Sequence, residues 1–573
     1  MKQTLAPMRY TLLCIIILLT ACTTQPAGER TVNIIPAPYQ AVTGDGTYAL
    51  KSGAEVNYSD ATLKPIALDL ASYVKALAGL DLKVAAAPAA APKGIYLQTG
   101  QVTGLPQAYG LSPKDGDTAD ENYILNIGKK TITITGAAAE GVARGVTTLK
   151  QLIGGNLDEK SAPVHLPVIE VTDGPRFAWR GLSLDVSRCF FSVEEVKQVI
   201  DMAALYKLNV LHLHLSDNQG WRIEIKKYPE LTRTGAFIDN NGKTGGFYTQ
   251  DDLRELIAYA AERFVTILPE VDLPGHTAAV FASYPEFRNA VNLGFKVTIP
   301  GQAFNALDVD DPKAMAFTEA VVEEMAALSP GAYLHVGGDE AIGLDENKYK
   351  RYVNAVREMV KKNGKKYVGW QETARTDIGE GDLFQHWIYM NKVAADPDRE
   401  KRRAQLPEEL KKVMALYGKF MMTAAGDPAL GISKGAKVIL SPSGYAYLDQ
   451  QYKEESADST QSDYQQRLGM AEYGKQTIAE IYDWDPMTFN PTVEDGTKDV
   501  AGIEAAIWCE SVTRFDELQF LMMPRLAGIA EKAWSAVENT SWDEYRIRLG
   551  AQAPLLEQAG WNYFKSSLVD WKE

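Results

Sequence analysis

The sequence predicts an α/β protein in which a (β/α)8 TIM barrel follows a smaller α+β domain. From about residue 174 onward, short apolar runs alternate with segments of helical periodicity, and eight strand candidates occur. Before that point, short strand-like runs accompany only two helical segments, which is typical of an α+β domain. The predicted boundaries are 1–22 for a signal peptide, 23–32 for a tether, 33–173 for the α+β domain, and 174–573 for the barrel with a C-terminal extension.

The N-terminus has the pattern of an export signal. A basic start (Lys2, Arg9) precedes a mostly apolar stretch that is too short to cross a membrane. The segment Leu19–Cys22 resembles the end of a bacterial lipoprotein signal, which implies that Cys22 is lipidated and becomes the first residue of the mature chain. The alternative is an ordinary cleaved signal with a chance cysteine. We expect an exported protein, lipid-anchored to a bacterial membrane on its periplasmic or cell-surface face.

The α+β domain is predicted from alternating apolar patterns and one clear hairpin. The hairpin joins Tyr123–Ile127 and Thr131–Thr135 through a turn that begins with Gly128. The other predicted strands are Val32–Ile35, Tyr48–Lys51, Leu82–Val84 and Ile95–Leu97, the helices are Ala61–Gly79 and Ala137–Ile153, and Ala85–Pro92 is a surface loop. This region contains no group of residues with a catalytic pattern.

The barrel is predicted from strands and helices that alternate over about 360 residues. The strand candidates are Leu182–Val186, Val210–Leu215, Val265–Val271, Tyr333–Val336, Tyr367–Trp370, Leu383–Trp387, Val438–Ser441 and Ile503–Trp508. The helical segments are Val193–Lys207, Thr249–Glu262, Ala314–Ala327, Lys348–Asn363 and Asp516–Trp534. The seventh unit is irregular, because a charged helical region (Lys401–Phe420) and a polar loop (Glu454–Gln466) flank its strand.

Charge and cysteine content exclude two classes of protein. The net charge of −15 argues against nucleic-acid binding, since no excess of cations is available for phosphates. Outside the signal, only Cys189 and Cys509 remain, too few for a disulfide framework, and no metal-type cysteine spacing exists. A single bridge between these two cysteines could form, but we expect two buried thiols.

The segment from Tyr333 to Glu340 is the strongest functional signal. It is a short apolar run that ends in Gly337-Gly338 and two adjacent acids, Asp339 and Glu340. Like charges at close range raise the pKa of at least one member, which is how a carboxylic acid stays protonated as a general acid. The alternative, a loop with two solvated acids, is weakened by the preceding strand and the glycines.

The ends of the other predicted strands carry the same kinds of residue. In a (β/α)8 barrel the site lies at the C-terminal ends of the strands. Trp, Tyr, Arg, His or an acid stands at most of these ends, and Asp449 and Glu510 each follow an aromatic residue at i−2, on the same strand face. Carboxylates and Arg bind sugar hydroxyls, and Trp covers sugar rings, so the pattern indicates glycosidic bond cleavage. Neither a Gly-rich phosphate loop nor a Gly-x-Ser-x-Gly turn occurs.

Four motifs closely resemble those of glycoside hydrolase family 20, the β-N-acetylhexosaminidases. They are Asp185–Arg188, Leu215–Trp221, Asp272–His276 and, above all, His335–Glu340, and they occur in the family's order. The resemblance covers residues 175–537, and the α+β domain resembles the family's usual N-terminal companion. It implies a retaining exo-hydrolase in which the carbonyl oxygen of the substrate's 2-acetamido group attacks the anomeric carbon and forms an oxazolinium intermediate.

The resemblance also implies a role for each matching position. Glu340 would be the general acid and then the base, Asp339 would accept the acetamido N–H, and Tyr447 would donate to the acetamido oxygen. The remaining implied residues are Trp370, Trp387 and Trp508 around the acetamido methyl group, Arg188, Asp449 and Glu510 at the hydroxyls of the terminal N-acetylglucosamine or N-acetylgalactosamine, and Asp217 and His276 as supporting groups. No cofactor and no metal are expected, and the expected partner is a glycan with a terminal N-acetylhexosamine.

Departures from the family pattern are small, and two other functions remain open. Cys189 stands where the family often has His, and Cys509 where it often has Ser or Thr; both should point away from the sugar. His212 and His214 on one strand could instead bind a metal in a metal-dependent hydrolase, or the barrel could be a non-catalytic glycan-binding lipoprotein. His335 and His386 are expected to be structural.

The segments predicted to shape the leaving-group side carry no readable specificity signal. They are Asp239–Phe247, Asn289–Phe304 and Lys392–Lys437. The natural glycan, the preference between gluco- and galacto-configured sugars, the oligomeric state and the membrane face stay open at this stage.

Overall fold

The computed structural model describes residues 32–87, 94–114, 120–157, 163–237, 245–288, 306–389, 404–488, 493 and 496–572. The predicted signal peptide, with Cys22, lies outside these residues, as do the segments 239–244 and 289–304 of the predicted leaving-group loops. Within the described ranges, no helix combines the length and the apolar character needed to cross a bilayer.

The N-terminal domain is a mixed seven-stranded sheet with two helices packed against it. Numbered along the chain, its strands lie in the order 1-7-5-6-4-2-3, and the predicted hairpin forms strands 5 and 6. The strands are Gln40–Leu50, Glu55–Tyr58, Lys83–Ala86, Gly94–Thr99, Tyr123–Ile127, Thr131–Gly136 and Val164–Asp173, and the helices are Lys64–Ala78 and Ala139–Gly154.

Two strand predictions in this domain need correction. Val32–Ile35 is not a strand, because the backbone N–H of Ile35 donates to the Gln151 side chain (2.9 Å) rather than to a neighbouring strand. The strand predicted from Tyr48 begins at Gln40, since eight pairs with the strand Val164–Asp173 hold this polar stretch in the sheet. Pairing along a sheet edge therefore extends a strand beyond its apolar pattern.

The second domain is a closed barrel of eight parallel strands in chain order, as the sequence predicts. Its strands, which we number 1 to 8, are Arg180–Asp185, Val210–His214, Thr266–Glu270, Tyr333–His335, Lys366–Trp370, Leu383–His386, Lys437–Leu440 and Val500–Ile507. The longer helices around it are Val193–Leu205, Gln250–Ala261, Pro312–Leu328, Glu346–Lys362, Glu408–Ala424, Phe515–Met522, Arg525–Trp534 and Trp542–Gly550. Each strand is fully or almost fully buried, as expected for a parallel sheet covered by helices.

The helix predicted over Asp516–Trp534 is two helices. The first ends at Met522, Met523 is extended (φ −103°, ψ 134°), and the second starts after Pro524. Proline lacks a backbone N–H, and its ring disfavours helical geometry at the preceding residue, so the helix breaks at this point.

Buried ion pairs fix the N-terminal domain to the barrel. Asp173, the last residue of the N-terminal sheet, contacts Lys207 Nζ at 2.9 Å and accepts the indole N–H of Trp534 at 3.0 Å. Glu121 accepts from both Arg144 and Arg180, at 2.6 Å each. These contacts lie at the N-terminal ends of the barrel strands, so the opposite mouth is left for a site.

Candidate active site

The register of the barrel strands brings the predicted site residues to one mouth. Glu270 pairs with His214 of strand 2 and with His335 of strand 4, and His214 also pairs with Asp185 of strand 1. Adjacent strands therefore end at the same level, and the residues that follow them converge. This arrangement confirms the expectation that the strand ends share one side of the barrel.

The chain reverses sharply after strand 4, and this turn presents the two acids. Gly337 and Gly338 have φ values of 65° and 100°, and a side chain on Gly337 would place its Cβ 1.7 Å from Asp272 Oδ1. Gly338 N–H donates to that same oxygen at 2.9 Å. Glu340 is itself left-handed (φ 45°), a strained conformation for a residue with a side chain. The paired glycines thus give Asp272 room beside the turn.

The acid that raises the pKa of Asp339 most is Asp272, which the sequence alone did not reveal. Burial, and then the charge of Asp272, raise the pKa of Asp339 well above its usual value, while Glu340 contributes least. Burial and nearby acids raise the pKa of Asp272 to about 8. Each carboxyl group thus affects the pKa of the other, and the pair favours holding one proton over carrying two negative charges.

Glu340 carries the electrostatic signature of a general acid. Burial raises the pKa of its carboxyl group, and the positive charges of His276 and Arg188 oppose that shift. Its side chain remains 25% exposed, so a substrate can reach it. The predicted effect of like charge is present at Asp339, whose pKa the charge of Glu340 helps to raise, whereas burial and Asp217 raise the pKa of Glu340.

His276 and Asp217 form the support expected beside the acid. His276 Nδ1 lies 3.2 Å from Asp217 Oδ1, and His276 Nε2 lies 3.7 Å from one carboxyl oxygen of both Asp339 and Glu340. Burial disfavours the charged imidazole, but Asp217 and the two acids outweigh it and raise the pKa of His276 to about 10. His276 is also left-handed (φ 50°), like Glu340. Backbone strain therefore occurs at two adjoining site residues.

Four aromatic side chains form one wall of the site. Trp370, Trp387 and Tyr447 share a buried cluster, and Trp508 packs against it. The ring centroids of Trp370 and Tyr447 lie 5.8 and 6.0 Å from that of Trp508. Trp370 ends strand 5, and Trp387, Tyr447 and Trp508 follow strands 6, 7 and 8, so the four predicted aromatic positions do converge.

Arg188, Asp449 and Glu510 lie together at the side of the mouth formed by strands 1, 7 and 8. Arg188 Nη2 is 2.8 Å from Asp217 Oδ2 and 3.8 Å from Glu510 Oε1, and its guanidinium lies over the Trp508 ring at 5.1 Å. Burial, and then the charge of Glu510, raise the pKa of Asp449 well above its usual value. Within the described residues, neither carboxylate oxygen of Asp449 accepts a hydrogen bond from a side chain. Buried acceptors of this kind suit ligand hydroxyl groups.

Several site residues were missed by sequence reasoning. Glu372, beyond strand 5, accepts the indole N–H of Trp387 at 3.2 Å, and burial raises its pKa well above the usual value. Tyr473 packs edge-on against Tyr447 at 5.5 Å. Glu372 and Tyr473 lie beyond the predicted strand ends, and Asp272 lies in a motif in which no role was assigned to it. Only their contacts in the folded chain reveal these three residues.

One helix of the irregular seventh unit also borders the mouth. Glu408–Ala424 carries the apolar residues Val413, Tyr417, Phe420, Met421 and Ala424 on one face, and Phe420 and Met421 pack against the aromatic cluster. Gln371 Nε2 donates to the backbone oxygen of Ala424 at 2.8 Å, which fixes the helix end beside strand 5. Of the predicted segment Lys392–Lys437, residues 392–403 lie outside the described residues.

The cysteines and the inner histidines do not contribute side chains to the mouth. Cys189 and Cys509 are buried in the core between barrel and helices, and no disulfide joins them, as expected. His212, Glu270 and His335 lie close enough together to hold a cation, as do Asp217, Asp272 and His276. However, His212 and His214 face carboxylates at hydrogen-bonding distance, Glu504 at 2.8 Å and Glu270 at 2.5 Å. The two histidines of strand 2 are therefore held by carboxylates of other strands.

Comparison with known proteins agrees with this geometry. The catalytic-domain model of glycosyl hydrolase family 20 matches residues 177–537, and the model of that family's domain 2 matches residues 31–174. A β-N-acetylhexosaminidase of Cellulomonas fimi is 33% identical, over 94% of this chain and 97% of that protein. A β-hexosaminidase of Porphyromonas gingivalis is 29% identical, over 96% of this chain and 67% of that protein.

Solved structures give the same result. The N-acetyl-β-hexosaminidase of Streptomyces plicatus, in complex with Thio-NAglucal, superposes with a TM-score of 0.77 at 34% identity, over 95% of this chain and 98% of that one. The β-N-acetylhexosaminidase of Streptomyces coelicolor gives the same score and identity, over 95% and 99%. The barrel, the N-terminal sheet domain and the sequence matches agree, and the chain belongs to glycosyl hydrolase family 20.

Proposed function

We propose that this chain is an exo-acting β-N-acetylhexosaminidase, which removes terminal non-reducing N-acetylglucosamine or N-acetylgalactosamine with retention of configuration. The relatives named β-N-acetylhexosaminidase support the activity. The observation that carries the proposal is the pairing of a buried, partly accessible Glu340 with a second acid, Asp339, whose pKa is also raised beside an aromatic wall. This pairing fits a reaction in which one acid donates a proton and the other binds an amide.

In the first step, Glu340 transfers its proton to the glycosidic oxygen as the bond from that oxygen to the anomeric carbon breaks. The carbonyl oxygen of the 2-acetamido group forms the new bond to the anomeric carbon, and an oxazolinium ring results. The raised pKa of Glu340 favours the protonated form that this step needs.

Asp339 and Tyr447 then hold the acetamido group. The carboxyl group of Asp339 accepts the amide N–H, and its negative charge stabilises the developing positive charge on the ring. Asp339 can become negatively charged because a proton held by the pair can move to Asp272. Tyr447, buried beside Trp508, donates to the acetamido oxygen, and the three tryptophans enclose the methyl group.

In the second step, Glu340 acts as the base. It removes a proton from water, the water oxygen bonds to the anomeric carbon, and the oxazolinium ring opens to restore the acetamido group. Two displacements at the same carbon return the β configuration. Arg188, Asp449 and Glu510 hold the hydroxyls of the terminal sugar, and this side of the mouth gives the exo mode of action.

The test is hydrolysis of paired aryl β-glycosides that differ only in the 2-acetamido group, with proton NMR of the first product formed. We expect release of the β-anomer from the N-acetyl substrates and negligible turnover of the plain glucoside. Equal turnover of both, or an α-anomer first, would contradict the mechanism. Loss of activity on chelation, with recovery on adding zinc, would favour a metal-dependent hydrolase instead. Sugar binding without any turnover would favour a glycan-binding protein.

We further propose that Cys22 anchors the exported protein to a bacterial membrane. The support is the basic start and short apolar stretch that precede Leu19–Cys22. Metabolic labelling with a fatty acid should mark the mature chain that begins at Cys22, and Cys22→Ala should abolish both the label and the membrane association. Membrane association of the unlabelled variant would contradict the proposal.

A further inference from the structure

A buried carboxylate in the barrel interior contacts both halves of the site, and the proposed reaction does not use it. Glu270, at the end of strand 3, is fully buried. Its Oε1 accepts the indole N–H of Trp370 at 2.8 Å, and its Oε2 lies 2.5 Å from His214 Nδ1 and 3.0 Å from His212 Nε2. Three side-chain nitrogens thus approach one carboxylate from strands 2 and 5, and those of His214 and Trp370 are hydrogen-bonded to it.

His214 continues the line of contacts toward the catalytic acid. Its Nε2 lies 3.0 Å from Asp217 Oδ2, and Asp217 Oδ1 lies 3.2 Å from His276 Nδ1. His276 Nε2 is then 3.7 Å from Glu340 Oε2. Acids and histidines therefore alternate in the order Glu270, His214, Asp217, His276 and Glu340, with hydrogen-bonding distances as far as His276 and an ion-pair distance from His276 to Glu340.

The alternation of acids and imidazoles stabilises the charged forms of Glu270 and His214. Burial opposes ionisation of Glu270, but the neighbouring imidazoles, His214 first, hold its pKa well below the usual value. Burial disfavours a charged His214, yet Glu270 and Asp217 raise the pKa of His214 well above its usual value. Glu270 is therefore a carboxylate and His214 an imidazolium at neutral pH.

The other charged or titratable groups around Glu270 come from strands 2, 3, 4 and 8. His212 bridges Glu270 to Glu504, and its pKa is raised to about 9, because the two carboxylates outweigh the effect of burial. Burial lowers the pKa of His335, whose Nδ1 is 3.1 Å from Glu270 Oε1 and accepts the backbone N–H of Gly337. Asp272 follows Glu270 on the chain and adds a further acid.

The Trp370 contact gives Glu270 its second route to the site. Trp370 is almost fully buried (1% exposed), and its ring packs on Trp508 in the aromatic wall. The only polar group of its side chain is the indole N–H, which needs an acceptor when buried. Glu270 is that acceptor, so the position of the tryptophan face depends on a carboxylate behind it.

We propose that Glu270 is a positioning residue that sets two parts of the site at once: the Trp370 face of the acetamido wall, and, through His214 and Asp217, the imidazole of His276 beside Glu340. The inference rests on the proposed N-acetylhexosaminidase function. A single interior side chain then determines the position of the amide-binding wall relative to the acid. A misplacement of about 1 Å in such a site costs on the order of 10²-fold in rate.

The chain offers a matched control for this inference. Glu504, on strand 8, is also a fully buried carboxylate bonded to His212, at 2.8 Å. Its other side-chain donors are the indole N–H of Trp179 (3.2 Å) and the amide of Gln385 (3.0 Å), neither of which lines the mouth. Glu270→Gln and Glu504→Gln therefore remove the same charge at the same depth, with different connections to the site.

The experiment measures kcat/KM on an aryl N-acetylglucosaminide for both full-chain variants, together with imidazole nitrogen NMR at pH 7.5. The chain contains only six histidines, which makes the imidazole signals separable. For Glu270→Gln we expect about a 10²-fold loss in kcat/KM and conversion of His214 from imidazolium to neutral imidazole. For Glu504→Gln we expect kcat/KM within about threefold of the parent chain and a loss of charge at His212 only.

Equal losses in kcat/KM for the two variants, or none in either, would overturn the proposal. If Glu270→Gln shows no cooperative thermal transition, His214→Gln carries the test, because it cuts the line to Asp217 and leaves the Trp370 contact in place. A His214→Gln variant with the parent's kcat/KM would then overturn the proposal. An inactive parent chain would contradict the proposed function, whereas the imidazole signals would still report on the line of charges.

Discussion

Two fully buried carboxyl groups, Glu270 in the barrel interior and Asp449 at the mouth, differ in the partners that the fold provides. Glu270 contacts two imidazoles and an indole N–H, and its pKa lies well below the usual value. Asp449 receives no side-chain donor within the described residues, and burial raises its pKa well above the usual value. Both are 0% exposed, so depth does not explain the difference. The fold itself supplies the hydrogen-bond donors of the interior acid, and we propose that sugar hydroxyls supply those of the acid at the mouth.

The same contrast separates other acids of the molecule. Glu121, at the domain interface, is held by two arginines, which lower its pKa despite burial. Asp339 and Glu340 have raised pKa values and side chains that are 15% and 25% exposed. Among these acids, raised pKa values therefore mark the buried ones that lack a hydrogen-bonded cationic partner, and lowered values mark the acids paired with cations, such as Glu121, Glu270 and Asp217.

The largest expected effect comes from removing the acid itself. Glu340→Gln should lower kcat on an aryl N-acetylglucosaminide by roughly 10²–10⁴-fold, because the proton donor is lost. Calorimetric binding of N-acetylglucosamine should change little, since the amide keeps the shape of the side chain. Glu346→Gln, on the exposed face of the next helix, is the matched control. Near-parental turnover in Glu340→Gln would remove Glu340 from its role.

A second substitution separates the amide-binding acid from the proton donor. Asp339→Asn should lower kcat on 2-acetamido substrates by roughly 10²–10³-fold, since the developing positive charge loses its carboxylate. The slow background reaction of the aryl glucoside without the amide should be unchanged, because that substrate does not use Asp339. An equal loss on both substrates would show that Asp339 acts on something other than the acetamido group.

A smaller effect is expected for the sugar-binding side of the mouth. Asp449→Asn should lower kcat/KM about 10- to 100-fold, because a hydrogen bond to a charged group contributes about 1.5–3 kcal/mol. The loss should appear mainly in KM if the contact forms equally in the ground and transition states. Asp310→Asn, at an exposed acid paired with Lys348 and Arg351, serves as the control. Unchanged kinetics for Asp449→Asn would place the terminal sugar elsewhere.

The smallest effect is a change of pH dependence. The positive charge of His276 lowers the pKa of Glu340, so His276→Gln should raise that pKa. The acid then stays protonated to higher pH, and the alkaline limb of kcat/KM should move to higher pH. His165→Gln, at an exposed histidine of the N-terminal domain, should leave the profile unchanged. A downward shift in His276→Gln would contradict the assigned electrostatics.

The sequence predicts most of the fold because each barrel strand is a continuous apolar run with a functional residue at its end. The local pattern was enough to predict strand 4 and the glycine turn that presents the two acids. All eight barrel strands occur where they were expected. The pattern failed at Val32–Ile35, where apolar side chains pack between domains, and at Pro524, whose effect on the preceding helix overrides periodicity.

Contacts between distant residues account for what the sequence could not predict. Asp272 and Asp339 meet only because strands 3 and 4 are neighbours, so the main acidic partner of Asp339 is invisible in its own motif. His212 and His214 share a metal-like spacing, yet each faces a carboxylate contributed by another strand. Pairing of buried charges depends on the closed barrel, and no local pattern encodes it.

The most direct test of the central claim is the affinity for a stable cyclic thiazoline analogue of the oxazolinium intermediate, measured by calorimetry against N-acetylglucosamine. A site built for the substrate's own amide should bind the analogue at least about 10²-fold more tightly, since transition-state-like ligands gain that margin. Asp339→Asn should remove most of this preference. An analogue that binds no better than N-acetylglucosamine would contradict participation of the acetamido group.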